Sequence, residues 1–479
     1  MLMLPEIIVI VTAFVVLLTD LFLCEKRRWV LAPMTIIGLL AAVVVLMTSV
    51  PAEGIMFGGR FAMDPAAWWF KLSFLIAGIL TVGISLDLLD NRVGTRMRGM
   101  GARGEYYTIL LFTISGMLYL ISARDIITLY VALELATIPL FVLAAWRRDD
   151  PRSGEAGLKY VIIGAMASAF ILYGLGLLFG LTGHTDLGVI SRLITPSPAF
   201  YLAVAMLVAG IGFKLTIVPF HFWAADVYEG APAPVTAYLS VASKGAGLAF
   251  LFQVFYRMLG SYIGDWGLLI ALFAAATMTV GNIIAIVQHD IKRFMAFSAI
   301  SQAGYILMGF LGPDPAGPPA MLYYLVVYVF TNLAVFGVIV WYSNQTGRET
   351  IADYRGLSRT NPLIALAMML GLFSLAGIPP LSGFVGKFFL FSVASKGGFH
   401  WLVAVAAVNS TISLYYYLRI VRQMYIEPQF EGAKALSIPP ALAITIGVAT
   451  LATVLLGIIP GVYESVHGAA ITWLGTVIG

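Results

Sequence analysis

The sequence contains few charged residues and only one cysteine. Asp, Glu, Lys and Arg together make up 11% of its 479 residues, whereas soluble globular domains contain roughly 25%. Hydrophobic residues make up 60% of the chain, so the composition excludes a soluble globular protein and indicates an integral membrane protein. The single cysteine, Cys24, excludes disulfides, iron–sulfur clusters and thiolate zinc sites within this chain.

Histidine is also scarce, and the familiar cofactor motifs are missing. None of the five histidines pairs with another at the helical spacing expected for haem or metal ligation. No glycine-rich phosphate loop follows a strand pattern, and no basic run with interleaved aromatic residues suggests nucleic-acid binding. We therefore expect this chain to bind no redox cofactor, no metal and no nucleic acid.

Apolar segments that are long enough to cross a bilayer recur along the whole length. A transmembrane helix needs about 20 apolar residues. Fourteen such segments are predicted, at about 4–23, 29–49, 66–87, 105–123, 125–145, 156–181, 199–222, 234–256, 264–287, 291–312, 318–343, 362–395, 399–424 and 438–459. The first has no basic start and no small-residue cleavage site, so we expect a retained helix. The sequence thus predicts an all-α integral membrane protein.

Basic residues in the connections predict the orientation of the chain. They are concentrated after odd-numbered segments: Lys26, Arg27, Arg28, Arg92, Arg96, Arg98, Arg103, Arg147, Arg148, Arg152, Lys292, Arg293, Arg348, Arg355, Arg359, Arg419, Arg422 and Lys434. After even-numbered segments only Arg60, Arg124, Arg192, Arg257 and Lys396 occur. The positive-inside rule then places both termini outside the cytoplasm, or on the topologically equivalent side of the membrane.

The lysines that remain fall inside predicted spans: Lys71, Lys159, Lys214, Lys244 and Lys387. A charge in the bilayer costs several kcal/mol unless it is paired, hydrated or neutral, so such residues are functional candidates. Glu134 is an acid in the same setting. Repeated ionisable groups along apolar helices indicate a route for protons or ions.

Glu134 and Lys214 are the best candidate ion pair. A low dielectric strengthens their attraction and penalises each charge alone, so changes in their separation would favour proton uptake or release by the lysine. The alternative is a static pair that only fixes packing. Lys244 could receive a proton from Lys214 through water, and Lys387 would be the corresponding group further along. For both, the alternative is a side chain that reaches the interface.

The other candidates are weaker. Lys159 closely follows a charged loop, so the alternative to a functional role is a side chain that reaches the interface. Lys71 adjoins two tryptophans and is expected to be an interfacial anchor. His221 and His289 could link lysines through water, or could simply pack or cap. Asp226 and Glu229 are expected to cap the following helix or to shape the loop.

Two predicted helices are interrupted by proline. Segment seven carries Lys214 before Pro219, and segment twelve carries Pro379 and Pro380 before Lys387. Proline removes a backbone donor, which frees carbonyls that need protein or water partners at membrane depth. Each broken helix is fourth in a run of five, which predicts two inverted five-helix repeats. We divide the chain into helices 1–3 (1–104), a first repeat (105–256), a second repeat (257–426) and a final loop and helix (427–479).

One stretch, PFHFWAADVYEGAPAPVTAYLSVASKGAGLAF from Pro219 onward, closely resembles the antiporter-like subunit N family of the proton-pumping NADH–quinone oxidoreductase, respiratory complex I. Three further stretches share the resemblance: LPEIIVIVTAFVVLLTDLF, VALELATIPLFVLAAWRR and SLAGIPPLSGFVGKFFLF. The likeness extends from the first helix to the last. Two positions of the loop depart from the family pattern, with Ala225 in place of proline and Ala233 in place of threonine or serine.

The resemblance implies a fold of two inverted repeats and proton translocation driven by distant quinone reduction. It implies that Glu134 is the acid paired with Lys214, that Lys244 is the central relay and that Lys387 is the lysine near the exit; Lys159 matches a further lysine of the family. Flavin, iron–sulfur clusters and quinone are then expected in partner subunits, beside neighbouring antiporter-like subunits of the membrane arm. The chain would belong to an enzyme complex without holding a redox centre.

Two alternatives remain open. A subunit of a multisubunit cation/proton antiporter would share this fold, and co-purifying flavin and iron–sulfur subunits would distinguish the two. A structural membrane-arm subunit with static ion pairs would instead lose assembly, not pumping, when its charges are removed.

Overall fold

The computed structural model describes residues 2–48, 54–90, 103–312 and 316–478. Its first ten helices are α1 (Leu4–Phe22), α2 (Leu31–Thr48), α3 (Pro65–Asp90), α4 (Arg103–Ser122), α5 (Ile126–Ala144), α6 (Pro151–Thr182), α7 (Leu187–Leu193), α8 (Pro198–Leu215), α9 (Phe222–Gly230) and α10 (Ala233–Leu251). The others are α11 (Ile263–Ile286), α12 (Ile291–Leu307), α13 (Gly317–Thr346), α14 (Leu357–Thr360), α15 (Pro362–Ala376), α16 (Ser382–Lys396), α17 (His400–Tyr425), α18 (Pro440–Ile458) and α19 (Gly461–Ile478).

Thirteen helical segments in these ranges are long and apolar enough to cross a membrane, which confirms the predicted helical membrane architecture in outline. The sequence pattern missed α19 and a short antiparallel hairpin between α2 and α3, formed by β1 (Gly54–Met56) and β2 (Phe61–Met63). Of the basic residues that predict the orientation, Arg92, Arg96 and Arg98 lie outside the described residues.

Helix boundaries follow local capping chemistry. Asp125, Asp150 and Asp290 each precede a helix and accept backbone N–H groups of its first turn. These bonds satisfy donors that have no partner inside the helix. At the other end, α15 ends at Gly377 with φ at +90°, a conformation that glycine adopts without steric cost. Predicted segment twelve therefore consists of two helices of 15 residues each, α15 and α16.

Burial divides the helices into a centre and a periphery. The spans that contain α10, α12 and α13 are almost completely buried, whereas in those of α1, α2, α6 and α18 most residues are exposed or only partly buried. Exposed side chains on the peripheral helices are largely apolar, as expected where lipid or partner helices cover the surface. Lys244, on the central helix α10, is consequently enclosed by protein.

Candidate functional site

The first helix break lies directly after Lys214. Helix α8 ends at Leu215, and Thr216 adopts the left-handed conformation with φ at +59°. The nearby Pro219 disfavours a helical continuation. The carbonyl groups freed by the break have partners: Lys214 O accepts the Ser243 hydroxyl at 2.8 Å, and Phe213 O accepts the Trp223 indole N–H at 3.1 Å. The break is therefore tied to α9 and α10.

Lys214 is buried, with 1% of its surface exposed, and its ammonium group donates to a hydroxyl on α5. The Nζ atom lies 2.6 Å from Thr137 Oγ1 and 5.8 Å from the centroid of the Phe213 ring. Thr137 Oγ1 in turn donates to Leu133 O at 2.7 Å. A charged lysine here is held by one neutral hydroxyl and an aromatic ring.

Glu134 lies on α5 with Thr137, but its carboxylate does not contact Lys214 in this structure. In the described part of the chain, no carboxylate oxygen lies within 4.0 Å of Lys214 Nζ. Glu134 Oε1 instead accepts the Ser168 hydroxyl of α6 at 2.6 Å. Thr137, which binds Lys214, lies three residues after Glu134 and on the same side of α5. The acid and the hydroxyl partner of the lysine therefore share one helix face, while the acid and the lysine are not in contact.

Lys244 lies on the central helix α10, every residue of which is buried. Its Nζ lies 3.5 Å from Thr216 Oγ1 and 6.0 Å from the centroid of the Tyr328 ring, and 1% of the residue is exposed. Thr216 Oγ1 donates to Leu215 O at 2.6 Å, so its lone pairs are free to accept from the lysine. The break after Lys214 thus supplies the hydroxyl that faces Lys244.

Lys387 makes the corresponding contact with the second break. Its Nζ donates to Leu375 O at 2.8 Å, to Ala376 O at 3.2 Å and to Ser410 Oγ at 3.3 Å. It also lies 4.3 Å from the centroid of the Tyr305 ring. The two carbonyls belong to the last turn of α15, where the helix dipole favours a cation. The predicted need of the freed carbonyls for a partner is met by this lysine.

Polar side chains of α12, α13 and α17 form a hydrogen-bonded group next to the end of α15. The Gln302 amide donates to Leu375 O at 3.1 Å and to Tyr417 Oη at 3.3 Å, and it accepts the Tyr324 hydroxyl. Tyr324 precedes Tyr328, which faces Lys244, by four residues, so both lie on one face of α13. Sequence reasoning missed these residues, although Gln302 and Tyr324 stand in otherwise apolar helices.

The weaker candidates lie at the edge of this arrangement. Lys159 binds Glu155 at 2.8 Å and Asp226 at 2.7 Å, and its side chain is 40% exposed. His221 is buried at the start of α9, and its Nδ1 has no hydrogen-bond partner among the described residues. His289 is exposed at the surface. The structure therefore brings His221 close to the first break and leaves His289 apart from the buried lysines.

The capping role predicted for Asp226 and Glu229 is wrong. Both bind Arg293 of α12, at 2.8 and 2.9 Å, and α10 begins without a side-chain cap. Burial acts to raise the pKa of the Asp226 carboxyl, but hydrogen bonds from Lys159 and Arg293 hold that pKa below its usual range. The helix after the first break is thereby joined by ion pairs to α6 and to α12.

The interfacial role predicted for Lys71 is also wrong. Its side chain is fully buried and lies 2.6 Å from the equally buried carboxylate of Glu6. Sequence reasoning missed Glu6 because a carboxylate in the first turn of a helix is ordinary. The sequence did contain a signal for the ion pair, because Glu6 is an acid in the first apolar span and Lys71 is a lysine without a nearby acid in the third.

In the described ranges, no group of three or more His, Cys, Asp or Glu side chains could hold a metal ion. The arrangement instead consists of buried ammonium groups that face hydroxyls, backbone carbonyls and aromatic rings. Such groups can bind and release protons.

Comparison with known proteins gives consistent matches. The family described as "NADH:quinone oxidoreductase/Mrp antiporter, TM" matches residues 123–413. NADH-quinone oxidoreductase subunit N of Desulforamulus reducens is 39% identical, over 97% of this chain and 96% of its own length. The subunit N of Moorella thermoacetica is 42% identical over 85% of each chain.

Solved structures give the same picture. A chain of respiratory complex I from Thermus thermophilus with bound aureothin is 31% identical, with a TM-score of 0.82, and covers 98% of this chain and 100% of that one. A chain of the Mrp complex from Dietzia sp. DQ12-45-1b has a TM-score of 0.85 at 21% identity and covers 100% of both chains. The second likeness shows the fold alone.

Proposed function

Because the chain belongs to the NADH-quinone oxidoreductase subunit N family, we propose that it is a proton-translocating membrane-arm subunit of such a complex. Protons pass through Glu134, Lys214, Lys244 and Lys387 while NADH oxidation and quinone reduction take place in other subunits. One observation carries this proposal: each helix break directs polar groups onto a buried lysine. Thr216 faces Lys244 at the first break, and the carbonyls of the second break bind Lys387.

The proposed route begins at the separated acid and lysine. Movement of the Lys214 ammonium from the Thr137 hydroxyl toward Glu134 favours the charged lysine, because the opposite charge stabilises it. Return to Thr137 favours release of the proton toward Thr216 and Lys244. From Lys244 the proton follows the polar groups around Gln302 to Lys387, with water filling the gaps between them. Lys159 and His221 serve as secondary groups near the first break, and His289 is the weakest candidate.

The two breaks also support an inverted repeat, with residues 105–256 and 257–426 as its units and 1–104 and 427–479 flanking them. Lys214 lies on α8 before its break, whereas Lys387 lies on α16 after its break. Inversion of one unit relative to the other produces this reversal of order. In this proposal α8 with α9, and α15 with α16, are the broken helices seven and twelve.

We infer the partners and the location of the chain from its family. Relatives are named as subunits, so we place this chain in a membrane arm beside other antiporter-like subunits, in a bacterial plasma membrane with both termini outside the cytoplasm. Flavin, iron–sulfur clusters and quinone are held by partner subunits. A cation/proton antiporter subunit is the second candidate, because the Mrp complex shares the fold. Identity of 39–42% to subunit N proteins favours the first.

We test the proposal by purifying the tagged chain from its own membrane. The expected result is co-purification of flavin and iron–sulfur subunits and NADH-driven proton uptake by reconstituted vesicles. An antiporter subunit would instead purify without redox cofactors and would exchange sodium for protons in the absence of NADH. A static structural subunit would co-purify with the redox subunits, but removal of its buried charges would lower assembly without changing the pumping of the complexes that assemble.

The hydroxyl of Thr216 provides a mutational test of the link between Lys214 and Lys244. Thr216→Val keeps the branched shape but removes the group that faces Lys244, and we expect proton uptake per assembled complex to fall about fivefold. That figure corresponds to the loss of one hydrogen bond worth about 1 kcal/mol. Thr216→Ser retains the hydroxyl and is the matched control. Equal rates in the two variants would exclude a role for the hydroxyl.

A further inference from the structure

The ion pair between Glu6 and Lys71 lies outside the residues that carry the proposed proton route. It also lies outside the family match at residues 123–413. Lys71 Nζ is 2.6 Å from Glu6 Oε1, and neither side chain is exposed. The same ammonium lies 3.3 Å from Met63 Sδ and 4.9 Å from the centroid of the Phe61 ring, so the outer hairpin strand β2 covers it. The pair connects α1 to α3.

Stability alone gives a poor account of this pair. Replacement of a buried ion pair by apolar side chains is often neutral or stabilising, because desolvation offsets the Coulomb attraction. Here the second carboxylate oxygen of Glu6 has no hydrogen-bond partner among the described residues, so desolvation is incompletely offset. A pair with this geometry is better suited to fix the position of the helices that carry it, since each charge is strongly penalised when it leaves its partner.

Helix α3 packs directly against the part of α10 that contains Lys244. Phe74, one turn after Lys71, packs at Gly245, the residue next to Lys244: a Cβ atom at Gly245 would lie 2.7 Å from Phe74 Cε1. Phe70 packs edge-on against Phe252, with ring centroids 5.0 Å apart. Only a glycine permits so close an approach of the Phe74 ring. A shift of α3 would therefore move or loosen α10 at Lys244.

We propose that Glu6 and Lys71 are positioning residues that hold α3, through Phe74, against the Lys244 segment of α10. This inference rests on the proposed function, because the position of Lys244 matters only if Lys244 transfers protons. It extends the proton-transfer machinery into the first three helices. The pair contributes no proton itself; it sets the distances over which Lys244 exchanges one with its neighbours.

The test compares turnover per assembled complex, quinone KM and the proton-to-electron ratio in four variants. Glu6→Gln and Lys71→Met each leave one buried charge without its partner. We expect kcat to fall about threefold to tenfold with an unchanged quinone KM, because a displacement of a reacting group by about 1 Å lowers a rate by up to about 100-fold. The neutral double variant Glu6→Gln/Lys71→Met strands no charge and should assemble, yet keep a low kcat. The exchanged variant Glu6→Lys/Lys71→Glu restores the pair and should recover most of the rate.

Two controls make the outcome decisive. Arg27→Gln removes an exposed charge from the short segment that follows α1 and should leave kcat unchanged. Gly245→Ala displaces Phe74 while leaving the Glu6–Lys71 pair in place, and should reproduce the loss of kcat. A neutral double variant that turns over at the native rate would overturn the inference, even if the single variants fail to assemble. If Lys244→Met also pumps normally, the proposed function itself has failed; if only the neutral double variant is normal, the positioning role alone has failed.

Discussion

Replacement of Lys244 by methionine is expected to abolish proton pumping while the complex still assembles. Lys244 is enclosed in the fully buried helix α10, and in the described part of the chain no carboxylate lies within 4.0 Å of its ammonium group. Methionine fills a similar volume and strands no buried anion, so folding should be retained. Loss of a proton-transfer group lowers rates by about 100-fold or more. The measurement is NADH-driven proton uptake by vesicles, normalised to assembled complex.

Arginine at the same position separates proton transfer from a static charge. Lys244→Arg keeps a cation, but a guanidinium group does not release its proton at physiological pH. If Lys244 is a relay, the arginine variant is as inactive as the methionine variant. Lys396→Met at the exposed end of α16 is the matched control and should pump normally. Native pumping by Lys244→Arg would show that the position needs only a positive charge.

Much of the fold could be predicted from the sequence, because apolar length alone marks a transmembrane helix. The predicted and observed elements differ where the local backbone conformation determines the start or end of an element. Segment twelve divides into α15 and α16 because Gly377 adopts a positive φ ahead of Pro379. Hydropathy is averaged over about 20 residues, so it does not detect the backbone conformation of one glycine. The hairpin between α2 and α3 could not be predicted, because its strands of three residues are too short to show the alternation of apolar and polar residues that indicates a strand.

The candidate site could be predicted only in part. The burial of Lys214, Lys244 and Lys387 is confirmed. A lysine in the middle of a long apolar helix is too far from either end to reach water, so it lies inside the helix bundle. Their partners were not predictable, because hydroxyls such as those of Thr137 and Thr216 are common in membrane helices. Only the packing of neighbouring helices decides which hydroxyl contacts a lysine. Lys71 was misjudged for the same reason: the adjacent tryptophans indicate depth in the membrane, not the direction of the side chain.

Glu134 and Lys214 should behave as one functional unit despite their separation in this structure. Thr137, which accepts a hydrogen bond from the Lys214 ammonium, lies one turn after Glu134 on α5. We expect Glu134→Gln and Lys214→Met each to lower proton uptake per assembled complex by about tenfold. The double variant should be no worse than the poorer single variant, because groups that act as a unit are non-additive. A double-mutant cycle of pumping rates measures the coupling, expected at about 1–2 kcal/mol.

The exposed pair of Arg422 and Glu427, 2.9 Å apart, provides the matched control cycle. An exposed ion pair contributes about 0–1 kcal/mol, so Arg422→Gln, Glu427→Gln and their combination should leave pumping unchanged. Independent effects at Glu134 and Lys214, with the double variant slower by the product of both losses, would contradict a shared step. Reduced assembly with normal pumping in the remaining complexes would instead favour a static pair. Because the structure holds the acid and the lysine on separate hydroxyls, strong coupling would require that they approach each other during turnover, and the cycle therefore tests the motion as well as the residues.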